Sequence, residues 1–253
     1  MSATLKLVSL VPSATETLIA LGVTPIACTR FCEQPSRGLG GVPRNDIPTV
    51  GGTKDPEIAR ISLLKPDLVV VNDEENRFED VDRLRKLRVP VHEMSPRSVA
   101  EVGPAVAALA EAVGADIPEP FGPAAWAAWL EDRRRRRTGE PRRTFVPVWR
   151  RPWMTLAGDT YGSSVLQLLG CFNVFTGQGA RYPTVQLDEA AGRKPDLVLL
   201  PTEPYPFKER HEAEVAAAMP DARVLIVDGQ DLFWWGIRTP GAVERLTAAL
   251  SGR

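Results

Sequence analysis

The sequence predicts an α/β protein of two similar lobes, each built around a parallel sheet. The first observation is a repeated motif, KPDLV, which occupies residues 65–69 and recurs 129 residues later at 194–198. In each copy a Pro-Asp turn leads into apolar, largely β-branched residues, a pattern typical of a strand buried on both faces of a parallel sheet. Two unrelated buried strands would also suit this motif, so the repeat alone leaves coincidence open.

A second repeat occurs in the same order in each half. LVPSATETLIALG at residues 10–22 and LAGDTYGSSVLQLLG at 156–170 both contain a strand end, small polar residues and an apolar helix closed by glycine. Residues 98–113 and 123–137, between the halves, are Ala-rich and helical in pattern. A single helical crossing would limit how far the lobes swing. We therefore predict an N-terminal α/β lobe over 1–97, a helical connector over 98–140 and a C-terminal α/β lobe over 141–253.

Strands and helices alternate through the predicted first lobe. The segment 5–10 is β-rich, and Ser13 with Glu16 predicts a capping box for an apolar helix that ends at Gly22. Such a helix start favours anions or polar ligand edges, although a plain capped helix is the alternative. The remaining predicted elements are a strand at 26–29, a helix at 55–64, the first KPDLV strand, a helix at 79–87 and a strand at 89–94.

The predicted second lobe repeats this alternation. Its elements are a strand at 144–149, a helix at 160–169, a strand around Asn173, a short segment at 187–191, the second KPDLV strand, a helix at 209–218, a strand at 223–227 and a terminal helix from Pro240.

Composition excludes several classes of protein. The net charge of −1 argues against broad binding to nucleic acid, and no apolar run approaches the length of a membrane span. The basic block at 133–137 has acidic neighbours and predicts a solvated helix end. Cys28, Cys32 and Cys171 are too few for a disulfide framework and lack CxxC spacing, so we expect reduced, structural thiols.

Aromatic residues and arginines cluster just beyond predicted strand ends of the second half. Tryptophans at 149, 153, 234 and 235 are accompanied by arginines at 150, 151 and 238. Aromatic faces beside guanidinium groups suit a large, flat ligand with peripheral carboxylate, amide or phosphate groups. Tryptophans that simply fill a core are the alternative, but core tryptophans are rarely found in loops beside Arg and Pro.

Acidic loops follow both KPDLV strands. Glu74 and Glu75 follow the first copy and Glu203 follows the second. These carboxylates are either solvated loop residues or matched anchors for arginines on a partner protein, and their position in both copies favours anchors.

Catalytic and metal-binding patterns are poorly represented. The two histidines, His92 and His211, lie in no nucleophile–base signature and no spaced metal set, so a structural or surface role is expected for each. We predict no catalytic residues and no metal ligands.

The motifs described so far resemble a family across nearly the whole chain: the class III, helical-backbone substrate-binding proteins of ABC transporters, which include receptors for cobalamin, haem and ferric siderophores. The resemblance is carried by SLVPSATETLIALG, GGTKDPEIARISLLKPDLVVVNDEENRFED, EPYPFKERH and DGQDLFWWGIR. These stretches look most like the cobalamin-binding or metal-receptor branch. The resemblance implies two Rossmann-like lobes with parallel sheets, joined by a helical backbone, with a ligand cleft between the lobes.

The resemblance also implies roles for individual residues. A Glu on each lobe would dock to permease arginines, which carries over to Glu74 or Glu75 and to Glu203. The ligand-binding residues that carry over are Ser13, Arg30, Phe31, Trp149, Arg151, Trp153, Trp234, Trp235 and Arg238.

The first functional hypothesis is a non-enzymatic protein that holds cobalamin or a comparable metal chelate and delivers it to an ABC-type importer. We expect no intrinsic cofactor, no nucleic-acid partner, no membrane insertion and a monomer. The arginines favour an anionic chelate such as haem or a siderophore, whereas the family branch favours cobalamin, so the identity of the ligand stays open.

The second hypothesis is a cytoplasmic enzyme or cofactor-handling protein that uses the same cleft on a haem, siderophore or corrinoid, with Glu74, Glu75 or Asp159 as acid or base. Family members that serve importers are exported or lipid-anchored, whereas no secretory signal or lipobox cysteine is recognised in this sequence. As the sequence stands we expect a cytoplasmic protein, and an extracytoplasmic one if an export signal has been removed.

Overall fold

The structure, a computed structural model, describes residues 5–32, 47–137 and 139–252. Its strands are β1 (Leu7–Ser9), β2 (Ala27–Cys28), β3 (Leu68–Val71), β4 (Val91–Glu93), β5 (Arg142–Phe145), β6 (Pro147–Trp149), β7 (Met154–Thr155), β8 (Cys171–Asn173), β9 (Leu197–Pro201) and β10 (Arg223–Val227). Its helices are α1 (Pro12–Ala20), α2 (Ile58–Leu64), α3 (Phe78–Lys86), α4 (Val99–Val113), α5 (Pro123–Arg135), α6 (Tyr161–Leu168), α7 (Leu187–Gly192), α8 (Glu209–Ala218), α9 (Gly229–Phe233) and α10 (Thr239–Ser251).

Residue contacts divide the chain into two compact units. The first unit comprises Met1–Pro96, Glu101–Trp126 and Trp235–Arg238, and the second comprises Arg97–Ala100, Ala127–Trp234 and Thr239–Arg253. Helices α4 and α5 therefore each have residues in both units. The sequence did not predict that Trp235–Arg238 would group with the first unit. The predicted boundaries at residues 97 and 140 stay predictions.

The two units contain sheets of the same topology. The first sheet has the order β2-β1-β3-β4, and the second has β8-β5-β9-β10. All neighbouring strands in both sheets are parallel. The predicted α/β class with parallel sheets in both halves is therefore confirmed.

The KPDLV motif makes the same backbone connection in each sheet. The carboxylate of Asp67 accepts a hydrogen bond from the Lys6 amide at 2.8 Å, and that of Asp196 accepts one from the Arg143 amide at 2.8 Å. In return, the Asp67 amide donates to the Lys6 carbonyl and the Asp196 amide to the Arg143 carbonyl, both at 2.8 Å. Each Asp thus ties the start of its strand to the strand beside it, which fixes the register of the pair.

Each sheet has its own apolar core. In the first unit, Val8, Val69 and Val71 pack with Ile61 of α2 and Leu84 of α3. In the second unit, the core cluster includes Phe145, Val198, Leu200, Phe207 and Val215. Both KPDLV strands are buried, as their continuous apolar runs predict.

Two local predictions are wrong, and one short helix was not predicted. Helix α1 begins at Pro12 with Val11 as its N-cap and no side-chain cap, so Ser13 and Glu16 form no capping box. Pro at the first helical position, with its fixed φ, starts the helix instead. The predicted strand at 144–149 is divided into β5 and β6, and β6 pairs antiparallel with β7 in a separate hairpin. Residues 229–233, for which no element was predicted, form the short helix α9.

None of the described helices is long and apolar enough to cross a membrane.

Candidate functional site

The residues predicted to bind ligand follow the carboxyl ends of the parallel strands in each unit. In open α/β sheets this edge is where ligands bind, because the loops and helix starts that leave the strands converge there. In the first unit, Ser13 lies in the first turn of α1 after β1, Arg30 and Phe31 follow β2, and Glu74 with Glu75 follows β3.

Two buried asparagines hold the acidic loop of the first unit in place. The Asn72 side chain accepts from the amides of Glu74 and Glu75 at 2.8 and 2.9 Å and donates to the Met94 carbonyl at 3.0 Å. The Asn76 amide group donates to the carbonyls of Leu10 and Thr53 at 3.2 and 3.0 Å. The loop is therefore fixed to its neighbours. Sequence reasoning assigned no role to these asparagines, although two Asn four residues apart at a strand end are a recognisable turn signal.

Glu74 and Glu75 are both half-buried, and their surroundings are mixed in charge. Burial raises the pKa of Glu75, while the nearby Lys54 ammonium and a hydrogen bond with Thr53 oppose that rise. The Lys54 ammonium also donates to the Glu74 carbonyl. Both carboxylates therefore lie in a constrained loop and are partly shielded from solvent, unlike the carboxylates of an ordinary surface turn.

Arg30 and Phe31 form an exposed pair at the end of β2. The Arg30 guanidinium lies 4.8 Å from the centroid of the Phe31 ring, which is 50% exposed. The same guanidinium donates to both Asp55 carboxylate oxygens at 3.0–3.1 Å. The charge of Arg30 is therefore already opposed by a carboxylate.

Arg238 makes a well-shielded ion pair with Glu16. Its guanidinium donates to both carboxylate oxygens at 2.9 and 3.0 Å, and the two side chains are only 15% and 7% exposed. Ser13 and Trp235 are buried as well. These three predicted ligand contacts lie in the first unit with little exposed surface, and their role in binding stays a prediction.

The three cysteines are buried and lie outside any disulfide, as expected of structural thiols. The Cys32 thiol accepts from the Thr15 hydroxyl at 3.0 Å and lies 3.2 Å from the Thr29 hydroxyl. Hydrogen bonding, with Cys28 first and Thr15 and Thr29 next, lowers the pKa of Cys32 to about 7 against the opposing effect of burial.

The second unit carries a connected group of aromatic rings, which we call the aromatic cluster: Trp149, Trp153, Tyr205, Phe207 and His211. Trp149 meets Tyr205 edge-to-face at a centroid distance of 5.6 Å, and Trp153 stacks on Phe207 at 6.0 Å. Tyr205 lies 4.7 Å from Phe207 and 5.5 Å from His211. The structure thus brings together Trp149 and Trp153, both predicted from sequence, through the YPF segment that follows β9.

Exposure differs sharply within the aromatic cluster. Trp149 is 43% exposed, whereas Phe207 and His211 are buried. Trp153 and Tyr205 are half-buried and pack against the core of the unit. The buried rings therefore form a rigid base beneath the accessible Trp149 face. Sequence reasoning missed Tyr205 and Phe207, although a Tyr-Pro-Phe segment directly after a buried strand is a usable signal.

Arginines surround this cluster in two different states. Arg150 donates to both oxygens of Glu214 at 2.9 and 3.0 Å, and this bonding raises its pKa. The neighbouring Arg151 is exposed and has a φ of 67°, a left-handed conformation that is strained in a residue other than glycine. The role of Arg151 in ligand binding stays a prediction.

The second acidic loop is shaped by a close backbone approach. The Gly229 amide donates to the Thr202 hydroxyl at 3.0 Å, and a Cβ at Gly229 would lie 2.5 Å from the backbone N and O of Glu203. Glu203 is half-buried, as is Trp234. Within the second unit, Glu203 therefore lies in the same loop as Tyr205 of the aromatic cluster.

Neither a catalytic constellation nor a metal cluster emerges from these positions. Asp159, proposed above as an acid or base, pairs with Arg97 at 3.2 Å. His211 Nδ1 accepts from the Lys208 amide at 2.9 Å, which gives this buried ring a structural role. Within the described ranges no group of three or more His, Cys, Asp or Glu side chains is placed to hold a metal ion.

Comparison with known proteins connects this architecture to a family. Residues 7–116 match the family model described as periplasmic binding protein. The structure resembles that of the periplasmic vitamin B12-binding protein BtuF of Vibrio cholerae, with a TM-score of 0.78, 24% identity, and coverage of 97% of this chain and 96% of that one. The chain has the periplasmic binding protein fold. These matches agree with the family resemblance predicted from the sequence.

Other relatives agree with this assignment. A vitamin B12-binding protein of Vibrio cholerae serotype O1 is 25% identical over 201 residues, covering 76% of this chain and 69% of the relative. The periplasmic heme-binding protein HutB of Vibrio cholerae has a TM-score of 0.78 at 17% identity, covering 98% and 99% of the two chains. These relatives are all named as binding proteins, in agreement with the expected binding role.

Proposed function

We propose that this protein is the substrate-binding component of an ABC-type importer and that its ligand is a corrinoid of the cobalamin type. The observation that carries the proposal is the aromatic cluster, in which an accessible Trp149 ring rests on a rigid aromatic base at the carboxyl edge of a parallel sheet. Such a surface suits the broad face of a macrocycle. Vitamin B12-binding relatives support the same ligand class.

The charge state of the arginines favours a corrinoid over an anionic chelate. Arg30, Arg150 and Arg238 each donate to a carboxylate within their own unit, so their charges are already opposed, and the exposed Arg151 is the exception. Haem and most siderophores carry carboxylates or other anionic groups that would need unpaired cations, whereas the periphery of a corrinoid is dominated by neutral amides. Hydrogen bonding to amides needs donors and acceptors but no excess positive charge.

The histidines point the same way. A haem receptor commonly supplies an axial ligand to the iron, with His or Tyr among the usual choices. His211 is buried with Nδ1 already bonded, and His92 lies half-buried within β4. A corrinoid brings its own macrocycle and lower base, so it requires no metal ligand from the protein. If the ligand were haem, Tyr205 and Tyr182 would be the candidate axial ligands to its iron.

Docking to a permease is proposed through the two acidic loops. Glu74 and Glu75 lie in the loop fixed by Asn72, and Glu203 lies in the loop fixed by Gly229. A rigid loop loses little conformational entropy when its carboxylate meets an arginine on a partner. Because importers take up ligand from outside the cytoplasm, we propose that the protein works there. The ligand cleft between lobes stays a prediction.

Spectral titration of the purified protein tests the proposal. Cyanocobalamin and cobinamide are expected to quench tryptophan fluorescence and to be recovered chemically unchanged, whereas haemin and a ferric siderophore are expected to bind more weakly. If haemin bound more tightly than the corrinoids, the proposed ligand would be haem. Chemical conversion of the bound ligand would instead support the cytoplasmic enzyme alternative, which no comparison favours.

A further inference from the structure

A basic cavity lies in the second unit near the end of α5. Its volume is about 390 Å³, and its walls contain the guanidinium groups of Arg133, Arg136, Arg137 and Arg142 with a single carboxylate, Glu140. Leucine and valine side chains from α6 and α10 supply the apolar part of the wall. The basic block at 133–137 was expected to be a solvated helix end, and the cavity is a feature that this expectation did not include.

The basic cavity is at the opposite edge of the sheet from the aromatic cluster. Arg142 is the first residue of β5, and Gly170, another lining residue, directly precedes β8. Both positions mark the amino ends of their strands. The aromatic cluster follows the carboxyl ends of strands in the same sheet, so the cavity is separate from the surface proposed to bind a corrinoid.

Two of the four arginines are held by neutral acceptors. Arg137 donates to the Gln167 carbonyl at 2.8 Å, and Arg142 donates to the Leu250 carbonyl at 3.2 Å. Among the described residues, neither has a carboxylate within ion-pair distance. Carbonyl bonds orient a guanidinium but leave its positive charge unopposed, so the cavity is fixed in shape and positive in charge.

Capping of helix ends explains only part of this arrangement. Gln167 and Leu250 lie in the last turns of α6 and α10, where exposed carbonyls attract cations. That role accounts for the bonds of Arg137 and Arg142. It does not account for Arg133, whose Nε is buried without a hydrogen-bond partner although its Nη2 pairs with Glu244 at 2.7 Å. A buried donor without a partner is rare and calls for an explanation, and an unseen water or ion is one of the recognised explanations.

We propose that the basic cavity binds a phosphate-type oxyanion that carries at least two negative charges. Guanidinium groups match tetrahedral oxyanions in geometry and charge, and the apolar wall leaves room for a hydrocarbon portion next to the anionic group. Two sources of this chemistry are a free phosphate compound and the headgroup of an anionic lipid.

Calorimetric titration of the full chain tests the proposal, with inorganic pyrophosphate as one probe and vesicles of phosphatidylglycerol in phosphatidylcholine as the other. Pyrophosphate is expected to bind, and Arg137→Gln is expected to weaken this binding roughly tenfold. Arg136→Gln, at a largely exposed side chain, is expected to weaken it in the same direction without affecting folding. Binding of the anionic vesicles alone, with the same sensitivity to substitution, would assign the lipid headgroup as the source.

Arg135→Gln is the matched control, because Arg135 belongs to the same basic block but pairs with Glu131 and does not line the cavity. It should leave the affinity for either probe unchanged. The proposal is wrong if neither probe binds, or if Arg135→Gln weakens binding as much as Arg137→Gln does, since the effect would then be general charge attraction.

Discussion

Trp149 combines an accessible ring with a rigid support, and this combination makes it the best single test of the proposed ligand surface. It is 43% exposed and contacts Tyr205 edge-to-face. Trp149→Ala is expected to weaken corrinoid binding about tenfold, the equivalent of about 1.4 kcal/mol, because one stacking face is lost. Fluorescence or absorbance titration measures the change.

Trp149→Phe is the control for this substitution. The smaller ring keeps a stacking face, so most of the affinity should be retained. An alanine variant that binds corrinoid as tightly as the unmodified protein would remove the aromatic cluster from the ligand surface.

His211 makes the stability of the second unit depend on pH. Burial lowers its pKa from the ordinary value of 6.5, and the nearby cations Arg210, Arg150 and Lys208 act in the same direction, against Glu214. The unfolded chain therefore binds a proton that the folded ring resists. Stability conferred by the neutral ring is present above about pH 6.5 and is lost as pH falls below it.

His211→Gln is expected to flatten the loss of unfolding free energy between about pH 7 and pH 5, measured by urea denaturation at each pH. Burial lowers the pKa of His92 too, so some dependence of the same sign remains in the variant. The raised pKa of Glu75 makes stability change with pH in the opposite direction. Glu75 is present in both proteins, so its contribution cancels when the variant is compared with the parent. Parallel curves for the two proteins would contradict the assignment.

At the scale of single elements, Gly229 is required where the loops after β9 and β10 meet. A side chain there would approach Glu203 backbone atoms to 2.5 Å, so Gly229→Ala is expected to lower the free energy of unfolding by about 1–3 kcal/mol. The acidic loop containing Glu203 should move as a result. Urea denaturation measures the first effect, and binding to a reconstituted importer measures the second.

Gly192→Ala is the matched substitution, because no atom lies within 4 Å of the added Cβ at this end of α7. It should leave stability unchanged or raise it by about 0.5–1 kcal/mol. Equal losses for the two variants would show that the close approach at Gly229 carries no special cost.

Much of the element order was predictable because the buried strands carry continuous apolar runs and the helices carry caps and periodicity. The predicted helix at 209–218 and strand at 223–227 agree with α8 and β10. The β6–β7 hairpin was missed because its two strands have only three and two residues. The KPDLV repeat was read correctly as two buried strands, but the bonds that its Asp residues make to the neighbouring strands were not predicted.

Exposure at the candidate site was predictable where it follows from loop position, as for Arg151 and Phe31. The hydrogen bonds and ion pairs of the site were not predictable where the partner is distant in the sequence. Arg238 pairs with Glu16, 222 residues away in the sequence, and no local pattern predicts that pair. The role of Asn72 and Asn76 likewise depends on carbonyls supplied by other segments of the first unit.

At the scale of the whole molecule, the segment Trp235–Arg238 completes the first unit from the far end of the chain. The Ile237 amide donates to the Thr17 hydroxyl at 3.3 Å, and Gly236, with a φ of 105°, lies against the same side chain. Together with the Glu16–Arg238 pair, these contacts attach the segment to α1.

Arg238→Ala is therefore expected to lower the free energy of unfolding by about 3–5 kcal/mol, because it leaves the Glu16 carboxylate buried without a partner. Arg30→Ala provides the comparison: its pair with Asp55 has side-chain exposures of 51% and 59%, and its loss should cost about 0–1 kcal/mol. Chemical denaturation of both variants measures the two changes in the free energy of unfolding. Similar losses of free energy would mean that the shielding of the Glu16–Arg238 pair from solvent contributes little to stability.

The return of residues 235–238 also constrains how the polypeptide matures. During synthesis Glu16 emerges from the ribosome more than two hundred residues before Arg238 does. Helix α1 must wait for its guanidinium partner until residue 238 has been translated, so the N-terminal half cannot reach its final state as an independent early product.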